Sequence, residues 1–544
     1  MARPDPGSIP LHAGALSAEV EGCDLVSLGW AGTEIGSRIL VTVRDESWGT
    51  VRATVRDVRV EQRAEGATAR IDARHEDPDV AFAWAGFVEL RAGELSFALE
   101  GHALREFVYR RIGICVLHPW RAYVGARYRA RTPAGDLEGT FPREIAPQPF
   151  VDGAYRPMID AFSELHVELP DGVVLDARFE GELFELEDQR NWTDASFKTY
   201  PTPLARSEPR TMREGDVVRQ RVMVRISGAP TAVTADDGPA VVRVGEPTGL
   251  LMPPVGVMLP PEPISAETIA SLRGIAPAHV RGELLSPDVE ALARLAERGA
   301  EIGAPLELAL IVDDDAGVSA LASALQNVRL TRLLVHLRSG ATIQGELVND
   351  VRRRLGSSID GVPVAGGTWS HFSELNRLRP DLEGVDEMAL SMSSQVHASD
   401  ERSMMETLEI QGEIVRSVRA IANRLPVVVS PVSLLPHEPG GWEQDPRATQ
   451  PFGAAWVLGS LASLARGGAA SITYDAISGP LTAFPGSDVL EVSISEPGSV
   501  AALALRGEEG TTLLLANLTP APMTVDVGET IELDGYGTKD IESV

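Results

Sequence analysis

Cysteine is almost absent from this chain. Cys23 and Cys115 are its only two thiols in 544 residues. Two thiols build neither a zinc cluster nor a disulfide-rich scaffold, and a reducing compartment is the expectation. Cys115 lies in the apolar run Ile112-Gly113-Ile114-Cys115-Val116-Leu117, which predicts a buried, inert thiol and not a nucleophile. Long apolar runs are missing as well. None approaches the roughly 18 residues that a membrane span needs. The opening residues Met1–Pro6 lack the positive-apolar-small pattern of a signal peptide. A soluble, cytoplasmic protein is therefore expected. Positive charge is also scarce. Lys and Arg total 49 against 78 Asp and Glu, a formal net charge of −29. Phosphate recognition needs clustered cations, so a nucleic-acid partner is disfavoured, as is an anionic membrane surface. A neutral small molecule is the compatible partner.

Several catalytic signatures are absent too. The chain has no HExxH, CxxC or phosphate-binding loop, and no GxSxG nucleophile elbow. No His-x-His spacing suggests a metal site, and no cofactor is expected.

What is present divides in three. At 544 residues the chain is long enough for two to four domains at about 150 residues each. Residues 1–235 alternate apolar and polar positions in short runs, such as Arg38–Val43, Val51–Val55, Phe87–Leu90, Leu95–Leu99, Phe107–Leu117 and Val217–Ile226. That pattern predicts an all-β sandwich. The stretch Ala229–Glu246 is rich in Ala, Asp, Gly and Pro and reads as a connection. Residues 246–485 then alternate eight strand candidates with helices. The strands are Leu250–Met258, Val280–Leu285, Leu306–Val312, Leu333–Leu337, Val362–Thr368, Met388–Ser393, Val427–Leu434 and Ser471–Asp475. Helices are expected at Ala266–Arg273, Pro287–Ala300, Val318–Leu325, Thr342–Leu355, Ser403–Asn423 and Phe452–Arg466. This is the pattern of a (β/α)8 TIM barrel. Residues 486–544 return to β character as a small C-terminal β domain.

Reactive groups of such barrels sit at the C-terminal ends of the strands. Glu283 ends the second strand. A carboxylate inside an apolar strand is costly, so it reads as a site residue, with a structural ion pair as the alternative. Asp313-Asp314-Asp315 ends the third and reads as a helix cap. The fifth strand leads into Gly366–Asn376, with His371, Glu374 and Asn376. The sixth leads into Gln395 and His397, where an imidazole can relay protons near neutrality. Asp445 and Arg447 follow the seventh and can pair with each other. Tyr474 and Asp475 close the eighth. The fourth and seventh strands end without the carboxylate pair of the commonest retaining barrel glycosidases. A second polar cluster, Glu187–Tyr200, follows an apolar strand in the β region. It holds Asp188, Arg190, Asn191, Asp194 and Lys198. It reads equally as a solvated loop with internal ion pairs, Glu187 or Asp188 with Arg190 and Asp194 with Lys198, or as a polar lobe reaching the barrel mouth.

These segments resemble the D-apionate lactonase family of branched-sugar catabolism. The resemblance rests on Gly113–Pro119, on EDQRNWTDASFKTY (Glu187–Tyr200), on GGTWSHFSELNR (Gly366–Arg377) with QVHASD (Gln395–Asp400), and on Asp445–Arg447 with FGAAWVLGSLASLA (Phe452–Ala465). It runs from about residue 100 to 480. It implies a sandwich, a barrel and a C-terminal β domain, and hydrolysis of a five-membered sugar lactone to its open aldonate. Two positions depart from the family's pattern. Thr473-Tyr474-Asp475 stands where Tyr-Tyr-Glu is usual, and Trp369-Ser370-His371 in the loop after the fifth strand is unusual. Hydrolysis needs a base, an oxyanion-holding donor and an acid for the leaving alkoxide. His397 or Glu283 is expected as base with the other as acid, and Asp475 as a further catalytic carboxyl. His371, Glu374, Asn376, Gln395, Arg447, Tyr474, Asp188, Arg190, Asn191, Asp194 and Lys198 are expected to bind the substrate. A glycosidase pairing Glu283 with Glu374 or Asp475, and a carbohydrate-binding protein on an inactive barrel, are the rival readings. The oligomeric state is not legible.

Overall fold

The computed structural model describes residues 7–151, 154–169, 172–228, 238–314, 316–476, 484–508 and 510–542. Met1–Pro6, Asp315 and the first nine residues of the expected connection lie outside them. The chain forms two compact units. One holds Met1–Arg190 and Ala195–Gly238, the other Asn191–Asp194 and Pro239–Val544.

The first unit is a sandwich. Among the described residues, one sheet has the order Ile9–Ala13, Leu16–Glu21, Asp24–Trp30, Thr33–Asp45, Phe107–Pro119, Ser196–Pro201, Phe184–Asp188 and Ile159–Phe162, with Arg210–Met212 also paired to Phe107–Pro119. The other runs from Gly135–Thr140 through Val217–Ser227 to Ala53–Arg63. Period-2 alternation builds the shared core. Along Gly66–Glu76, Ala67, Ala69, Ile71, Ala73 and His75 point inward, while along Ala81–Arg91 Phe82, Trp84, Val88 and Leu90 do. Cys115 is buried too, on the face of its strand opposite Ile114 and Val116, its Sγ against Thr42 Oγ1 at 3.1 Å.

The second unit contains a closed eight-stranded parallel barrel: β1 (Val255–Met258), β2 (Val280–Leu284), β3 (Leu306–Val312), β4 (Leu330–Leu337), β5 (Val364–Gly367), β6 (Glu387–Ser393), β7 (Val427–Ser433) and β8 (Ser471–Tyr474), with β1 paired to β8. Helices fill the intervals, the longest being Pro451–Gly467 with Pro at its start and Gly468 in the left-handed conformation at its end. The Ser403–Asn423 interval is two helices, Glu401–Glu406 and Leu408–Ile421.

Two boundaries differ from the sequence reading. Ala240–Leu251 is a strand and not a connection. It pairs with Asp488–Ile494 and Met523–Asp526 in the seven-stranded C-terminal sheet. Gly245, which read as a linker residue, and Pro247 just beyond the expected connection sit where the register slips in bulges between Val244 and Leu250. The candidate strand Leu250–Met258 is accordingly divided. Its first two residues belong to the terminal sheet, and the barrel strand begins after Pro253-Pro254. Pro removes the N–H that a continuous ladder would need. The second difference is the short helix Phe372–Arg377 in the segment after β5. Among the described residues no helix is long and apolar enough to cross a membrane.

Candidate active site

The barrel lumen is charged near its base. Glu307 on β3 is fully buried and accepts from Thr473 Oγ1 at 3.0 Å, from Arg332 Nη1 at 3.0 Å and from the Ser430 hydroxyl. Burial alone would raise its carboxyl. His279, Arg332 and Arg281 outweigh that and lower it to about 2. Arg332 also grips Glu387, and Arg281 donates to Ser430 Oγ at 2.8 Å. Above this layer Ala309, Leu334, Ala365, Ala389 and Val428 form an apolar floor.

Glu283 stands at the C-terminal end of β2. Its Oε1 accepts from Arg281 Nη2 at 2.6 Å and from His437 Nε2 at 2.9 Å, and its Oε2 accepts the Gly440 N–H at 2.9 Å. Burial opposes ionisation, but Arg281 and the His437 hydrogen bond hold this carboxyl well below the usual carboxylate range. The expectation that Glu283 trades protons with His397 therefore needs correction. It has no proton to give at neutral pH and is a weak base. It is a fixed anion that ties down the loop after β7.

The mouth near β6 is organised around Asn191–Asp194, which the fold groups with the barrel. His397 Nδ1 lies 2.6 Å from Asp194 Oδ2. With Asp194 as carboxylate, Nδ1–H donates and Nε2 is the basic nitrogen. The Trp192 ring meets the His397 ring edge-on at 5.7 Å, and Arg377 lies over Trp192 at 5.3 Å. Glu374 holds Arg377 at 3.1 Å, and Asn376 Nδ2 donates to Asn191 Oδ1 at 2.8 Å. His371 precedes this helix. Burial, and then the nearby His397, lower it to about 4, so its ring is neutral.

A third group links β6, β7 and β8. Gln395 Nε2 donates to Asp445 Oδ2 at 2.6 Å, and Arg447 grips Asp445 through two hydrogen bonds of 2.9 and 2.7 Å. The Arg447 hydrogen bond lowers Asp445 to about 2. Gln444 Nε2 donates to the Asp475 carbonyl at 2.8 Å. Burial raises the Asp475 carboxyl to about 7.

Other expected binding residues are placed elsewhere. Tyr474 is fully buried and its hydroxyl donates to Ser460 Oγ at 2.9 Å, so it packs under the long helix and does not meet a ligand at the mouth. Asp188 and Arg190 form a buried two-point ion pair in the first unit. Arg190 also donates to the carbonyls of Arg143 and Pro142, and Asp188 accepts the Ala146 N–H, so both hold the sandwich together. Lys198 lies over the Tyr200 ring at 5.2 Å, also in the first unit. Asp194 takes His397 and not Lys198 as its partner. Asp313 pairs with Arg338 at 3.1 Å. The sequence reading missed His437, Arg281 and Trp192. His437 could have been found as the imidazole that follows the seventh strand. Among the described residues no three His, Cys, Asp or Glu side chains converge as metal ligands.

Comparison with known proteins agrees with this layout. Three family models match in order: the D-apionate lactonase N-terminal domain at residues 1–229, its TIM barrel domain at 255–504 and its C-terminal immunoglobulin-like domain at 497–541. A curated D-apionate lactonase of Brucella anthropi is 28% identical, over 98% of this chain and 96% of its own. Among solved structures, a GH30 endoxylanase of Clostridium papyrosolvens gives a TM-score of 0.36 at 10% identity, over 56% of this chain and 97% of its own. A GH36 alpha-galactosidase of Geobacillus stearothermophilus gives 0.29 at 9%, over 96% and 92%. Those two likenesses are too remote to bear on activity. The sequence matches define the class, a hydrolase acting on lactone esters. More narrowly, the chain belongs to the D-apionate lactonase family.

Proposed function

We propose that the chain hydrolyses a five-membered sugar lactone, D-apionolactone or a close relative, to the open aldonate. The observation that carries the mechanism is the 2.6 Å Asp194–His397 pair at the barrel mouth. His397 Nε2 takes a proton from water as the water oxygen adds to the lactone carbonyl. Asp194 holds the ring in that tautomer and stabilises the imidazolium. Gln395 and Arg447 supply donors to the oxyanion and hydroxyls. The ring C–O bond breaks, and the leaving alkoxide takes the proton of Asp475. Asp475 suits this role because burial keeps it protonated up to about pH 7. Asn191, Asn376, Glu374 and Arg377 fix Trp192, whose ring offers an apolar face to the sugar. Neutral His371 donates to a hydroxyl. Glu283 positions the loop that carries Asp445.

The aldonate product ionises and releases one acid equivalent per turnover. A pH-indicator assay over a panel of aldonolactones, run beside chromogenic glycosides, tests this reading. Acid release from five-membered lactones with inert glycosides is expected. Glycoside cleavage without lactone turnover would overturn it.

A further inference from the structure

His336 lies near the C-terminal end of β4, fully buried, and neither ring nitrogen has a hydrogen-bond partner. Buried polar groups in folded proteins are almost always paired, and a bare one marks the place of a water or a ligand. Leaving it bare carries a desolvation cost that an apolar residue at this position would avoid.

Strand alternation shows where the ring points. Arg332, Leu334 and His336 share one face of β4. Arg332 reaches Glu307 in the lumen, and Leu334 belongs to the floor formed with Ala309 and Ala365. His336 therefore stands one step above that floor, on the side of the mouth. The charges it senses are those of Arg281, Glu283, Glu307 and His437, and burial lowers its own titration to about 3. It is a neutral imidazole, with one donor and one acceptor nitrogen. The hydroxyl of Ser393, at the C-terminal end of β6, is likewise buried without a partner.

We propose that His336 is a substrate-binding residue at the base of the barrel mouth, where it takes one hydroxyl of the sugar lactone beside Glu283 and His437. A sugar hydroxyl both donates and accepts, which matches a neutral imidazole. The inference rests on the lactonase reading above and adds to it the contact that recognises hydroxylation.

The test compares D-apionolactone with unsubstituted γ-butyrolactone on the full-length wild type and on His336→Phe, which keeps the ring volume and removes both nitrogens. Loss of one hydrogen bond to the substrate predicts a fall in kcat/KM of about tenfold or more for the hydroxylated lactone. γ-Butyrolactone turnover should stay within about threefold. His336→Gln, which keeps a polar end, should recover part of the discrimination and covers the case in which the Phe variant does not fold. Equal effects on both lactones, or unchanged kinetics with a raised Tm, would overturn the proposal, because a bare core imidazole gives that result. A wild type inert toward both lactones would instead overturn the lactonase reading beneath it.

Discussion

The carboxylates of the barrel differ in what surrounds them, and that sets what each can do. Glu283 has Arg281, His437 and a backbone N–H around it and stays ionised. Asp475 is raised to about 7 by burial, with the Asp445 charge acting in the same direction. Its folded value lies above its unfolded one, so ionising it costs stability progressively as pH rises from about 4 to about 7. The same shift gives a kinetic expectation. kcat of the parent should fall as pH rises through about 7, where the acid loses its proton. Asp475→Asn should be slower by roughly a hundredfold and should lack that limb. A descending limb that survives in the Asn variant would remove Asp475 from the acid role. Glu283 was legible as a residue in need of partners, because a carboxylate in an apolar strand is costly to leave alone. Its role was not legible, because Arg281 is two residues away and His437 is distant in sequence. Tyr474 shows the same limit. A position at a strand's end does not say which side of the barrel wall the ring takes.

At the level of elements, the lumen layer joining β3, β4, β6, β7 and β8 is an acid-sensitive staple. Glu307 titrates below its unfolded value, at about 2. Its ionised form stabilises the fold above about pH 4.5, and that contribution is lost as pH falls through about 2. Glu307→Gln should lower Tm at pH 7, since breaking a buried pair costs about 3–5 kcal/mol. It should also flatten the fall of Tm between pH 5 and 3 relative to the parent. Parallel Tm curves would show that Glu307 is not a source of that acid sensitivity. The barrel strands were readable because apolar runs alternated with periodic helices, and Leu306–Val312 matches its expected bounds. The Ala240–Glu246 part of the strand Ala240–Leu251 was misread as a connection because Gly245 carries the composition of a linker while lying where the register slips in a bulge. The Phe372–Arg377 helix was hidden because six residues are too few for helical periodicity to show.

At the scale of the whole molecule, the chain returns to one sheet after completing the barrel. Ala240 and Val242 share a core with Leu490, Leu513, Leu515 and Val525. The C-terminal domain is therefore closed by a strand that precedes the barrel. A chain ending at Pro485 would leave Ala240–Leu251 without its partners, and it should be insoluble or lose cooperative unfolding. A truncated chain with the parental melting curve would contradict this. The tetrapeptide Asn191–Asp194 makes a similar crossing. Its sequence neighbours belong to the sandwich, yet its contacts belong to the barrel. The sequence showed this stretch as polar and unusual but left its destination open, because the partner of Asp194 lies 203 residues away.

In the proposed mechanism the Asp194–His397 pair activates water against a sugar lactone. The most direct measurement is kcat for acid release from D-apionolactone by the parent, His397→Ala and Asp194→Asn, each confirmed as folded by its melting curve. Turnover by the parent is expected, with a loss of about a hundredfold or more in His397→Ala and a smaller but clear loss in Asp194→Asn. Parental turnover by a folded His397→Ala variant would contradict it.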